Sequence, residues 1–281
     1  MSFSWLNIVT SIFSLITILL TIFIIFTLLK IFKRKFHISL ILVMNTSIVL
    51  TIYSIISLET LLIPSSTLTF SCKLRHGYLM STSSLSIILS YILHAFYRLI
   101  RIAFSSSIRS KKSIWINLII IQWFLSFCFC LPFLLIQGFI AHIPFGQSYC
   151  VTTYRNLVAS IYGSLVIYVF PLMILIGLYG YVLWFLKHSQ RVITFHQQRR
   201  NQRDLGVIKR IVFTVNGLIC AGLPPMVLWI IYLIKGNLIE PLIYEITWLS
   251  VQLGVVIENM FLIYFTREIR SFIRESSIIR S

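Results

Sequence analysis

The chain has 281 residues, of which 58% are hydrophobic and 11% charged, and it carries a formal charge of +17. Soluble domains average about 45–50% apolar and about 25% charged residues, so this composition excludes a water-exposed globule. The basic excess does not describe a nucleic-acid-binding domain. Lys and Arg stand in short clusters between long apolar runs, the pattern of a membrane face that meets anionic lipid.

A helix of about 20 apolar residues crosses a ~30 Å hydrocarbon core. Seven runs meet that length. The first covers Trp5 to Leu29, and no small-residue cleavage site follows it, so it is expected to stay as a membrane helix rather than leave as a signal peptide. The second covers Ile38 to Leu62. The third, Tyr78 to Ile100, is richer in Ser and is expected to be less lipid-exposed. Then come Ile114 to Gly138, Leu157 to Leu186, Val207 to Ile234 and Pro241 to Phe265. Pro, Gly, Ser and charge gather at the joints. There is no internal repeat, and residues 1–281 read as one all-α domain.

Charge orients the runs. Twenty of the 24 Lys and Arg follow or flank the ends of the first, third, fifth and seventh spans. The opposite side holds only Lys73, Arg75, Arg155 and Lys235. The positive-inside rule puts the richer side in the cytoplasm, and an odd number of spans then leaves the amino terminus outside.

Of the five cysteines, Cys72 precedes the third span and Cys150 lies between the fourth and fifth. Both fall on the expected outer, oxidising side, which favours a bridge over two unpaired thiols. Such a bridge would restrict the unfolded chain by ~4 kcal/mol in the chain-entropy picture. Cys128 and Cys130, inside an apolar run, read as small buried residues, and no cysteine or histidine spacing suits a metal.

The third span ends His94-Ala95-Phe96-Tyr97-Arg98-Leu99-Ile100-Arg101. Alone, Arg98 reads equally well as a helix-end side chain snorkelling to the head groups. The fourth run carries Trp123 and Pro132, the fifth Pro171 and Tyr179, and the sixth Pro224-Pro225. Each proline frees a backbone carbonyl and bends its helix.

The order of these landmarks over nearly the whole chain resembles the rhodopsin-like (class A) G-protein-coupled receptors. The resemblance implies a seven-helix bundle with a short eighth helix, an extracellular ligand and a cytoplasmic heterotrimeric G protein. It implies that Arg98 is the motif arginine at the end of the third helix and that Cys72 and Cys150 form the family disulfide. Pro171, Tyr179 and Pro224 match the fifth- and sixth-helix positions. Asp204, 20 residues before Pro224, matches the acid that pairs with the motif arginine; pairing with Arg200 or Arg203 on its own helix is the alternative. The sequence also departs from the family. Tyr97 stands in place of the usual acid, the sixth span has no Trp before Pro224, and the seventh reads Glu258-Asn259-Met260-Phe261-Leu262. The second span offers Asn45 and no Asp.

Polar groups at membrane depth face the bundle or a cavity. His94 reads as a hydrogen-bonded interhelical residue or a proton switch, and Glu258 as a packing carboxyl or a signalling residue. Glu245, flanked by Tyr244 and Trp248, reads as an interfacial anchor or as a contact for a cationic ligand group. The outer-half candidates for a ligand pocket are Tyr78, Ser81, Thr82, Tyr162, Trp229, Tyr232, Tyr244, Glu245 and Trp248, with an aromatic belt the alternative for the tryptophans and tyrosines. No Lys in the seventh span could carry a retinal Schiff base, and no cofactor or metal is expected. After the seventh span, Ile269, Phe272 and Ile273 fall on one face with Arg267, Arg270 and Arg274 beside them, the pattern of an interfacial helix over 266–274. No nucleophile lies beside a base, so an enzyme is not expected. The rival class is a transporter or channel, for which paired repeats and several midplane charges are wanting.

Overall fold

The computed structural model describes residues 5–33, 37–62, 73–103, 112–136, 139–143, 149–152, 156–189, 240–266 and 269–271, with scattered residues of 216–234. The described chain is predominantly helical. Helix α1 covers Trp5–Phe32 and α2 covers Ile38–Leu62. Helix α3 covers Met80–Ala103 and is entered through a π-helical stretch, Lys73–Leu79. Helix α4 covers Lys112–Leu135. Helix α5 runs as Leu157–Gly163, a π-helical Ser164–Val169 and Phe170–Ser189. Helix α6 covers Glu240–Phe265, at the seventh expected span. The described residues between 216 and 234 are helical too.

Six described helices are long and apolar enough to cross a bilayer. The chain is a membrane protein, and its burial is inverted to match. Leu19, Phe26, Ile120, Phe124, Met173 and Trp184 are more than half exposed, while Ser14, Thr17, Thr21, Ser47, Ser54, Ser57, Gln252 and Asn259 are fully buried. Lipid solvates apolar side chains as well as a neighbouring helix does, so small and polar groups fill the helix–helix seams instead.

Helix α1 shows this most plainly. Asn7, Thr10, Ser14, Thr17, Thr21, Ile24, Leu28 and Ile31 form one buried face. That face packs on α2 and α6. The hydroxyls of Thr10, Ser14, Thr17 and Thr21 each donate to the carbonyl four residues back, at 2.7–3.0 Å. The seam therefore needs no partner across the interface, and its small side chains let the backbones approach.

Helix α3 is the centre. It packs on α2, α4 and α5. The Ser-rich reading holds, because 67% of its most apolar stretch is buried against 17–56% for the others. Helix α4 ends at Leu135, three residues short of the expected Gly138, soon after its Pro132. The chain then turns into a hairpin, β1 (Ile140–Ile143) and β2 (Tyr149–Thr152), antiparallel with His142 opposite Cys150. Hydropathy gave no sign of this hairpin. Strand β2 lies against the Lys73–Leu79 stretch and α2.

In α5 the Phe170 N–H reaches back five residues to the Leu165 carbonyl, just before Pro171. Pro171 has no N–H, and its ring crowds the carbonyl of residue 167. A turn widened to five residues moves that carbonyl aside. Beyond α6, Thr266 N–H bonds the Leu262 carbonyl and Arg270 N–H bonds the Thr266 carbonyl, both at 3.1 Å. Ile269 is fully buried, as the expected amphipathic pattern requires. Phe272, Ile273 and Arg274 lie outside the described residues.

One expectation is corrected. Cys130 is buried but Cys128 is exposed. Two positions on a helix differ by about 200°, so the pair cannot share a buried face.

Candidate functional site

Three polar layers tie the helices together within the bundle. The first uses two tyrosines from the expected pocket. The Tyr78 hydroxyl donates to the Phe127 carbonyl at 3.1 Å, and the Tyr162 hydroxyl to the Phe129 carbonyl at 2.7 Å. Both acceptors lie in the turn of α4 ahead of Pro132, which opens that turn by leaving the carbonyl of residue 128 without its donor. Tyr78 also meets the Phe127 ring at 6.2 Å between centroids, and Tyr162 the Phe133 ring at 5.6 Å. These tyrosines hold α3 and α5 against α4. Ser81 and Thr82 are buried beside them. Trp248 of α6 packs on the main core, and Glu245 is half-buried two turns before Gln252. Trp229, Tyr232 and the side chain of Tyr244 lie outside the described residues.

The middle layer joins α2, α3 and α4. The Asn45 Nδ2 donates to Gln122 Oε1 and Trp123 Nε1 donates to Asn45 Oδ1, both at 3.0 Å. Gln122 Nε2 donates to the Ser86 carbonyl at 3.1 Å. One amide on α2 thus faces two consecutive polar side chains on α4. Sequence reading singled out Asn45 and Trp123 and missed Gln122. Its signal was there, an amide in the middle of an otherwise apolar run. Sequence reading also missed Gln252, whose Nε2 donates to Ser57 Oγ across α6 and α2.

The third layer gathers the expected switch residues. Thr46 Oγ1 lies 3.1 Å from Ser90 Oγ and 3.2 Å from His94 Nε2, so His94 is an interhelical hydrogen-bonding residue. Arg98, one turn on, is close enough to act electrostatically on His94 and on Tyr179 of α5. Tyr179 in turn feels Glu258 of α6. Glu258 is 2% exposed, and its carboxyl lies beside the Tyr91 hydroxyl, close enough for the two to interact but without a well-formed hydrogen bond. Asn259 turns its Nδ2 to the Val255 carbonyl at 3.0 Å. Tyr97 points elsewhere, onto the edge of Trp115 at 4.9 Å. Pro171 is buried and Pro224 is helical and half-buried.

Asp204 and Cys72 lie outside the described residues, as does the side chain of Cys150. Among the described residues no group of three His, Cys, Asp or Glu could hold a metal ion. Helices α3, α5 and α6 therefore bring the buried Tyr91, Tyr179 and Glu258 within electrostatic reach of one another, with the half-buried Arg98 acting on Tyr179. No protein-family model matches the chain, and no curated protein does.

Proposed function

We propose that this protein is a divergent rhodopsin-like receptor of seven membrane helices, taking an extracellular ligand and activating a heterotrimeric G protein at its basic face. The observation that carries this reading is the convergence of Arg98, Tyr179 and Glu258 from three helices. An arginine that only snorkels has no need of a buried phenol of another helix within its electrostatic reach. The reading places the amino terminus outside the plasma membrane and the 187–210 segment in the cytoplasm, from the 20-to-4 division of Lys and Arg. It pairs Cys72 with Cys150, supported by the contact of β2 with the stretch that begins at Lys73. It draws the ligand site from the outer ends of α3, α5 and α6, with Glu245 and Trp248 as its polar and aromatic contacts.

Arg98 and Asp204 form the switch in this reading. A partly buried pair of this kind biases a two-state equilibrium by ~1–3 kcal/mol, roughly five- to 150-fold. Guanine-nucleotide exchange on purified protein with mixed G proteins, screened against peptide and small-molecule pools, tests it. Asp204→Asn is expected to raise basal exchange, and Arg98→Ala to abolish stimulated exchange while the protein stays folded. Exchange that no pool stimulates overturns the reading in favour of a transporter or channel, the rival class.

A further inference from the structure

Glu258 is the one acidic side chain buried at the depth of the bundle among the described residues. Neither carboxyl oxygen makes a well-formed hydrogen bond, and the Tyr91 hydroxyl beside them is the one donor within reach among the described residues. Gly217 lies on a third side. A Cβ built on it would come within 2.7 Å of Glu258 Oε1 and 3.5 Å of the Phe261 ring, so a larger residue there would displace the carboxyl.

The titratable and charged groups around it are few. Helix α3 presents Tyr91, with His94 behind it at 6.4 Å between ring centroids. Helix α5 presents Tyr179, with Arg98 acting on that phenol. Gly217 offers no side chain. No ion pair to the carboxyl is found among the described residues. An ionised carboxylate taken out of water without a counter-charge, and with a single phenol beside it, is very costly, and such a group takes up a proton instead.

We propose that Glu258 is a proton-binding site of this protein. The buried carboxyl is carried as the neutral acid between Tyr91 and Gly217. The step is a simple dissociation: the O–H bond of the acid breaks, the electron pair stays on the carboxylate, and the proton passes to water or buffer. The charge left behind then demands hydration, which a side chain only 2% exposed does not receive. The same event places a negative charge next to Tyr179 and so alters the field that this phenol shares with Arg98. The inference stands apart from the receptor reading, since neither measurement below involves a G protein.

The test uses the full chain in lipid nanodiscs, as wild type, Glu258→Gln and Tyr91→Phe. Infrared spectra at neutral pH are expected to contain a protonated-carboxyl band that Glu258→Gln removes and Tyr91→Phe moves without removing. Tm is then followed from pH 5 to 9. A proton held more tightly in the folded state stabilises fully below the ordinary Glu value of about 4.3, and that stability is lost as pH rises. Relative to Glu258→Gln, the wild-type folded-to-unfolded ratio is therefore expected to fall about tenfold per pH unit until the band vanishes, and to level off above. Absence of the band, or parallel pH profiles for wild type and Glu258→Gln, overturns the proposal. A wild-type Tm that rises when sodium replaces choline, with Glu258→Gln unresponsive, also overturns it, because a cation then neutralises the carboxyl. If Glu258→Gln fails to fold, Tyr91→Phe decides alone, and an unmoved band overturns the site.

Discussion

At the scale of single residues, the buried amides of Asn45 and Gln122 are bonded at both ends, while Gln252 Oε1, Asn259 Oδ1 and the Glu258 carboxyl make no well-formed hydrogen bond. Asn45 uses both ends of its amide, donating to Gln122 and accepting from Trp123. Replacing it by Leu keeps the volume near constant but strands an indole N–H and an amide oxygen in a medium without water. Hydrogen bonds between membrane helices contribute ~0.6 kcal/mol on average and up to ~1.7, so the two together are expected to cost about 1–3 kcal/mol. Purified Asn45→Leu should unfold roughly 2–8 °C below wild type. An unchanged Tm would mean that the three-helix contact is held by packing alone.

At the scale of elements, the buried face of α1 separates two ideas about polar seams. If its hydroxyls bonded α2 or α6, each removal would be felt. They bond their own helix instead, so size alone should matter. Thr17→Val, nearly the same shape without the hydroxyl, is expected to change stability by less than ~0.5 kcal/mol. Thr17→Leu overfills a fully buried position and is expected to cost about 1–3 kcal/mol. Thermal denaturation of the two variants side by side checks this; equal losses would show that the hydroxyl works across the interface. The π-helical turns of α3 and α5 belong to this scale too. The one in α5 lies immediately before Pro171 and re-aims the end of the helix that bears Tyr179.

At the scale of the whole molecule, two measurements bear on the path of the chain. Tags at residue 1 and near Gln197 are expected to be labelled from opposite sides of intact cells, and labelling from one side would sink the seven-span count. Mass spectrometry of an unreduced digest is expected to find Cys72 linked to Cys150. Their chain neighbours already meet, since β2 lies on the Lys73–Leu79 stretch. Breaking the bridge by Cys150→Ser should cost ~2–5 kcal/mol, read as loss of protein at the cell surface; undiminished surface protein would reject the pairing.

The sequence by itself determined that the chain lives in lipid and where its helices run, because about 20 apolar residues between charged joints have few other ways to satisfy a backbone. The bounds of α2 fell where the apolar run does, at Ile38 and Leu62. It also singled out Asn45, Trp123, Arg98, Tyr179 and Glu258, since polar groups within such runs are costly and stand out. Only the tertiary structure decided what each of them meets. Hydropathy is blind to rotation about a helix axis, so it could not turn Cys128 outward, pair Asn45 with Gln122, or set Tyr97 on Trp115. Nor does it register a five-residue turn before a proline or a hairpin of four-residue strands, because both are matters of backbone hydrogen bonding rather than of apolar surface. The approach of Gly217 to Glu258 belongs to the same class: a missing Cβ has meaning only once another helix is there to use the space.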